Sequence, residues 1–182
     1  MPANLLLITG PPASGKSRLA RLLAERFHAS CCSKDEIKDT LFEVLGTGDA
    51  AWSRRLSDAS FALLFQWGAR LLSAQPLLLM DGNFRPGEHE PAVRTLLSAA
   101  AARSAQVLCV AGPDIRAARL AARAAEPDRH PGHRDQQLSL GPLAPTGFLD
   151  LPGPRLRFGT DRDEPQELAR LCDQLDRWLA AA

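Results

Sequence analysis

The run Asn4-Leu-Leu-Leu-Ile-Thr9 leads without a break into Gly10-Pro-Pro-Ala-Ser-Gly15-Lys16-Ser17, after which Leu19, Leu22, Leu23 and Phe27 recur at helical spacing. A short apolar run closed by glycine reads as a buried strand, and a 3.6-residue apolar period reads as an amphipathic helix. Glycines on either side of the turn let the backbone fold tightly enough for successive N–H groups to converge. A chain that opens this way is committed to a buried strand followed directly by a helix, and so to a sheet covered on both faces.

The remaining pattern repeats that choice. Further strands are expected at Ala29–Cys32, Leu77–Met80, Gln106–Ala111 and Arg155–Phe158. Between them, Ser33 with Glu36 three residues on forms a capping box for a helix with Ile37, Leu41, Val44 and Leu45 on one face, ended by Gly46–Gly48. Trp52, Leu56, Ala59, Leu63, Trp67 and Leu71 mark a long helix; Val93, Leu96, Leu97 and Ala100 face inward from another, and Ile115–Ala124 forms a third. Asp163 with Gln166 caps a last helix carrying Leu168, Leu171, Leu175 and Leu179. Alternating strands and helices predict a single α/β domain over 1–182, a three-layer sandwich whose five-stranded parallel sheet is ordered 2-3-1-4-5. Glu126–Pro154 is too long for a plain connection and is expected to be functional and mobile.

Composition excludes several classes. A net charge of +1 gives no overall field toward nucleic acid or anionic lipid, and Leu5–Ile8 and Leu77–Met80 are far too short to span a bilayer. With no basic stretch leading into a long apolar one, a cytoplasmic protein is expected. Cys31, Cys32, Cys109 and Cys172 form no C-x-x-C pair and read as free thiols. Only three of the 22 basic residues are lysines, Lys16, Lys34 and Lys38, all within the first forty positions.

The octet fits G-x-x-x-x-G-K-[ST], in which the main chain of Gly10, Pro11, Pro12, Ala13, Ser14 and Gly15 cradles phosphate, Lys16 charges the β/γ oxygens and the Ser17 hydroxyl ligates Mg²⁺. ATP and Mg²⁺ are the expected cofactors. No N-K-x-D triplet of a guanine switch is present, and Asp150-Leu-Pro-Gly153 fits D-x-x-G only within a Pro-rich stretch. What remains among P-loop proteins is a compact kinase. Leu77-Leu-Leu-Leu-Met-Asp81 has the Walker B form, which places a second metal ligand, a carboxylate, at a strand end, or else is a strand before an ordinary Asp-Gly turn. Asp35, just inside the helix after strand two, is either a base that takes the proton of an acceptor hydroxyl or a plain helix-start acid. Lys34 and Lys38 flank it, and could steady it or hold an anionic acceptor.

The stretch Gly10–Gly46, with Ser33-Lys-Asp-Glu-Ile-Lys38 and Leu41-Phe42, resembles the zeta-toxin and chloramphenicol-phosphotransferase-like P-loop kinases, particularly their bacterial AAA-type ATP-binding members. It is also similar to the kinase domain of polynucleotide kinases. The resemblance runs on through Asp81-Gly-Asn-Phe84 and Arg129-His-Pro-Gly-His133, about three quarters of the chain. It implies that Asp35 is the catalytic base. Arg116, Arg119 and Arg123 fall on one helix face. That face is either plainly solvated or, as in the lids in which kinases of this size resemble one another, part of a lid around 116–140 whose arginines close over the triphosphate, with Arg119, Arg123 and Arg129 the candidates. His130 and His133 are expected near the acceptor rather than on zinc, and Asn83, Phe84 and Arg85 in the acceptor pocket. By fold analogy Thr160 lies beside the nucleobase. The expected activity is transfer of phosphate from ATP to a small-molecule hydroxyl, by a monomer or homodimer; a polynucleotide 5′-hydroxyl kinase and a non-catalytic ATP-binding regulator are the alternatives.

Overall fold

Strand β1 (Asn4–Thr9) is buried along its whole length, and its side chains divide the interior in two. Because strand side chains alternate, Leu5 and Leu7 point to one face and Leu6 and Ile8 to the other. In the computed structural model, which describes residues 3–125, 130, 132, 146–161 and 165–181, β1 lies at the centre of a five-stranded parallel sheet ordered β2-β3-β1-β4-β5. Its partners are β2 (Ser30–Ser33), β3 (Leu77–Asp81), β4 (Arg103–Val110) and β5 (Arg155–Gly159). The order is the one the alternating pattern predicts.

Helices α1 (Lys16–Phe27) and α6 (Pro165–Ala180) cover the Leu6 and Ile8 face, where Leu19, Leu23, Leu171 and Leu175 join the core. Helices α3 (Ala50–Leu72) and α4 (Glu90–Ala99) cover the other face, where Phe61, Leu64, Leu72, Val93 and Leu96 meet Leu5 and Leu7. Helix α2 (Lys34–Leu45) packs on α3 beyond β2, and α5 (Pro113–Ala124) follows β4. Asp49 caps α3 by accepting from the Trp52 backbone N–H at 2.8 Å.

Several local expectations are corrected. Strand β2 is Ser30–Ser33, one residue later than expected, and Ser33 makes no capping bond; its hydroxyl turns instead to Asp81, 3.4 Å away. The Asp81 carboxylate on the neighbouring strand gives the Ser33 hydroxyl a buried acceptor to donate to. Val44, Leu45 and Trp67 are 75%, 53% and 53% exposed rather than core-facing, because α2 and α3 bury each other along a narrower stripe. The Asp163 cap lies outside the described residues.

The segment expected to be irregular throughout also contributes to the core. Leu149 and Leu151 are buried against Leu5, Val93 and Leu97, and the buried side chain of Gln106 holds them in place. Its amide donates to the Leu149 carbonyl at 3.0 Å and accepts from the Leu149 N–H at 2.7 Å, the two bonds a strand neighbour would make. Gly153 then passes against the Ser104 carbonyl at φ 104, where no side chain fits. Leu149→Ala is expected to cost about 2–5 kcal/mol, since it opens a cavity where the strap seals the core; the urea midpoint measures it.

Candidate active site

Register fixes the site. Ile8 of β1 pairs with Asp81 of β3, and Asp81 pairs with Ser33 of β2, so β2 and β3 finish on one rung and β1 ends one residue beyond it. Loops leaving that rung share one rim, where open α/β sheets take ligands. The first is 10–15, bent through φ 155 at Gly10, 59 at Ala13 and 83 at Gly15. A side chain on Gly10 would strike the Ser14 hydroxyl and the Cys109 carbonyl, so the loop can be this tight only with glycine there. Gly15 is the N-cap of α1 and offers no side chain to its first N–H groups, which leaves them and the helix dipole for an anion. The Ser14 hydroxyl is likewise buried without a partner. Pro11 accepts from the Ser14 N–H at 3.2 Å, while Pro12 has no N–H to give.

Lys16 and Asp81 are both buried beside this loop, 7% and 2% exposed. Burial pushes the Asp81 carboxyl above its usual range, opposed by the Lys16 ammonium and the Ser17 hydroxyl and reinforced by Asp35. Its Oδ1 has no hydrogen-bond partner. An orphaned carboxylate oxygen near a serine hydroxyl is a hard-oxygen donor pair of the kind Mg²⁺ accepts, the remaining positions going to water and phosphate. The residues present therefore fit the ion. Cys31 lines the same cavity, but burial and the nearby Asp81 push its thiol up to about 12, so it packs rather than reacts.

The opposite wall is latched to the loop. The Thr160 hydroxyl donates to the Ser14 carbonyl at 2.8 Å and accepts from Arg119 Nη1 at 2.9 Å. Arg119 also bonds the Thr160 carbonyl, and reaches the Ala13 carbonyl at 3.4 Å. Arg119 thus pins the β5 end to the phosphate loop. Arg123, one turn on, lines the cavity of about 1290 Å³ that also takes in Gly15, Lys16, Ser17, Asp35, Asp81 and Thr160. Arg129 and His133 lie outside the described residues.

Where the acceptor is expected, Asp35 and Lys34 form an ion pair at 3.2 Å, with the carboxylate about one-third exposed and the lysine buried. Lys38 is buried too, its ammonium donating to Ser53 Oγ at 3.0 Å and lying 5.1 Å above the Phe42 ring. His130 stacks flat on that ring, centroids 4.9 Å apart. Arg85 is held by Glu88 at 2.8 Å and its backbone N–H donates to His89 Nδ1 at 2.9 Å. Burial and Arg85 push the His89 imidazole down to about 4, so it stays neutral. Asn83 is partly buried at the same rim. Phe84 is fully buried against Phe61, Phe65 and His89, and its expected place in the acceptor pocket is corrected: the ring supports the floor and has no surface to offer a ligand. Ser53 and Phe42 belong to this region without having been singled out by role. Only contact could reveal them, because a lone serine or phenylalanine carries no spacing signal.

Burial pushes the Lys38 ammonium down to about 8, with Lys34 adding to the effect. An unfolded lysine holds its proton to ~10.4, so at neutral pH folding buries a charge, and that penalty shrinks as pH rises from about 8 toward 10. Lys38→Met is therefore expected to be more stable than the parent at pH 7, with the gap narrowing by pH 10; thermal melts at both pH values check it.

A family model described as an AAA domain matches residues 5–139. Among solved structures, a candidate kinase from Chloroflexus aurantiacus is 30% identical, with 97% of each chain covered and a TM-score of 0.84. A sugar kinase from a Janibacter species is 14% identical over 100% of this chain and 99% of its own, TM-score 0.57, and a gluconokinase from Sinorhizobium meliloti is 16% identical over 97% of each, TM-score 0.52. These last two share the fold. No curated protein matches the chain in sequence. Among the described residues no helix is long and apolar enough to cross a membrane. With the glycine-bent loop, the buried lysine and the strand-end carboxylate in one cavity, and a model matching most of its length, the chain belongs to the AAA domain family and carries that family's P-loop nucleotide-binding fold.

Proposed function

We propose that residues 1–182 form one catalytic domain that transfers the γ-phosphate of ATP to a hydroxyl of a small molecule. The observation that carries this reading is the meeting of two half-sites: Lys16, Ser17 and Asp81 share one cavity with Asp35, a carboxylate on a different element that a nucleotide site alone does not need. Mg²⁺, held by Ser17 and Asp81, would offset charge on the β- and γ-phosphates. The acceptor oxygen bonds to the γ-phosphorus, the bond from that phosphorus to the bridging oxygen of ADP breaks, and the hydroxyl proton passes to Asp35. Lys16 and the loop N–H groups bind the oxygens that carry charge during transfer, and Lys34 holds Asp35 in place. Arg123 and Arg129, on a lid spanning 116–140, would close over the triphosphate and exclude water.

Within kinases, the zeta-toxin and chloramphenicol-phosphotransferase-like group fits best, on the strength of Asp35 just after β2. The gluconokinase and sugar kinase neighbours support a compact kinase fold, and a polyhydroxylated acceptor is compatible with the polar rim. The test is to incubate the protein with γ-labelled ATP, Mg²⁺ and a pooled metabolite extract, then identify labelled products. A labelled small molecule is expected. Label confined to oligonucleotide 5′ ends, or ATP binding with no labelled product, would sink the reading.

A further inference from the structure

Among the described residues, Lys38 is a buried cation without an ion-pair partner. Lys38 is 7% exposed, yet its ammonium makes one hydrogen bond, to the neutral hydroxyl of Ser53, and no ion pair among the described residues. Its neighbour Lys34 differs, since it is satisfied by Asp35 at 3.2 Å. An ammonium has three donors, and leaving them desolvated without a counter-charge is unfavourable enough that such groups are kept for a purpose. Asp35, Asp39 and Asp58 act on Lys38 at a distance without forming an ion pair with it.

The surroundings are built to hold that charge. Phe42 presents its ring to the ammonium and takes His130 in a flat stack. Ser53, which accepts from Lys38, donates to the Gly132 carbonyl at 3.4 Å, and any side chain on Gly132 would run into Phe42. Positions 130 and 132 thus pack on the Phe42 and Ser53 side of Lys38. Nearby, Arg85 has its Nε buried with no acceptor, and Asp58 lies within electrostatic reach of the groups on both sides.

We infer that Lys38 is the specificity-determining residue for the acceptor, and that the acceptor carries an anionic oxygen group (carboxylate or phosphate monoester) beside the hydroxyl that is phosphorylated. The inference rests on the kinase reading for the identity of the hydroxyl, whereas the anion subsite stands on Lys38 alone. Asp35 and Lys38 stand three residues apart on α2, a spacing that sets side-chain origins ~5–6 Å apart on one helix face, so a hydroxyl and an anion separated by about three to six atoms would reach both. The lysines at 34 and 38 then divide their work: the first steadies the base, the second reads the substrate.

The test is calorimetric titration of the protein with ADP and Mg²⁺ present, using matched probes: glycerate, threonate and gluconate; their neutral counterparts glycerol, threitol and sorbitol; and glycerol 3-phosphate and glucose 6-phosphate. At least one anionic probe is expected to saturate in the millimolar range or below, with its neutral counterpart at least thirtyfold weaker. Whether the carboxylates or the phosphate esters bind tighter identifies the source of the anion. Lys38→Met is expected to erase that preference while the Kd for ADP changes less than twofold, and its higher stability at pH 7 makes misfolding a poor excuse. Where turnover is seen, KM for the anionic acceptor should rise at least tenfold with kcat changing less. Equal binding of neutral and anionic probes, no binding of any anionic probe by protein that binds ADP, or an unchanged preference in Lys38→Met would each overturn the inference. Anionic binding that depends on Lys38 but leads to no phosphorylated product overturns the kinase reading and leaves the subsite standing.

Discussion

Asp35→Asn is expected to lower phosphoryl transfer by about 10²–10⁴-fold while leaving ATP affinity within twofold of the parent. Asparagine keeps the size of the side chain and its hold on the helix start, but cannot take the acceptor proton. The nucleotide half of the site should not register the change, because the loop 10–15, Lys16 and the Thr160–Arg119 latch draw on other elements. A second effect follows from the ion pair: with the carboxylate gone, Lys34 is left buried and uncompensated, so a lower melting temperature is expected alongside the lost rate. Assays well below that temperature separate the two. Single-turnover kinetics with a saturating acceptor measure the chemical step, and an unchanged rate would remove Asp35 from the role of base.

What the sequence made legible is what repeats at fixed spacing. The sheet order and the phosphate loop could be read because strand and helix periods alternate and because G-x-x-x-x-G-K-S is contiguous. Asp81 could be placed since it ends an apolar run, and pairing with both Ile8 and Ser33 brings it to the rim. Contacts between distant segments were not legible. Nothing local in Gln106 or Leu149 says that an amide in β4 holds a strap 43 positions away. Ser33 looked like a cap because the S-x-x-E spacing was right, but its side chain is turned toward a carboxylate 48 positions away, which no local pattern announces. Phe84, one position from the rim, was misread because adjacent residues after a strand can turn to opposite sides; Asn83 stays at the rim and Phe84 goes under it. That Arg119 meets Thr160, 41 positions on, could likewise not be read from its helical spacing.

Lys16→Met is expected to reduce phosphoryl transfer by about 10³-fold or more, and unlike Asp35→Asn it should also weaken nucleotide binding, by roughly tenfold, as loss of a charge-assisted contact to phosphate implies. Lys16 heads α1 immediately after the Gly15 cap, so on the proposed reading its ammonium and the helix N–H groups would address the same oxygens. Methionine preserves the length and apolar stem of a side chain that is 7% exposed, which limits damage to packing. Lys16→Arg is not expected to rescue: a planar guanidinium needs more room than the compact ammonium, and the loop is closed against Thr160 and Cys109. The effect should grow with phosphate number, being small for AMP and largest for ATP, because the ammonium serves the β/γ end. Fluorescence titration with AMP, ADP and a non-hydrolysable ATP analogue reads that gradient directly. A uniform loss across all three would mean that Lys16 shapes the loop rather than binding its phosphates, and that the transfer defect has another origin.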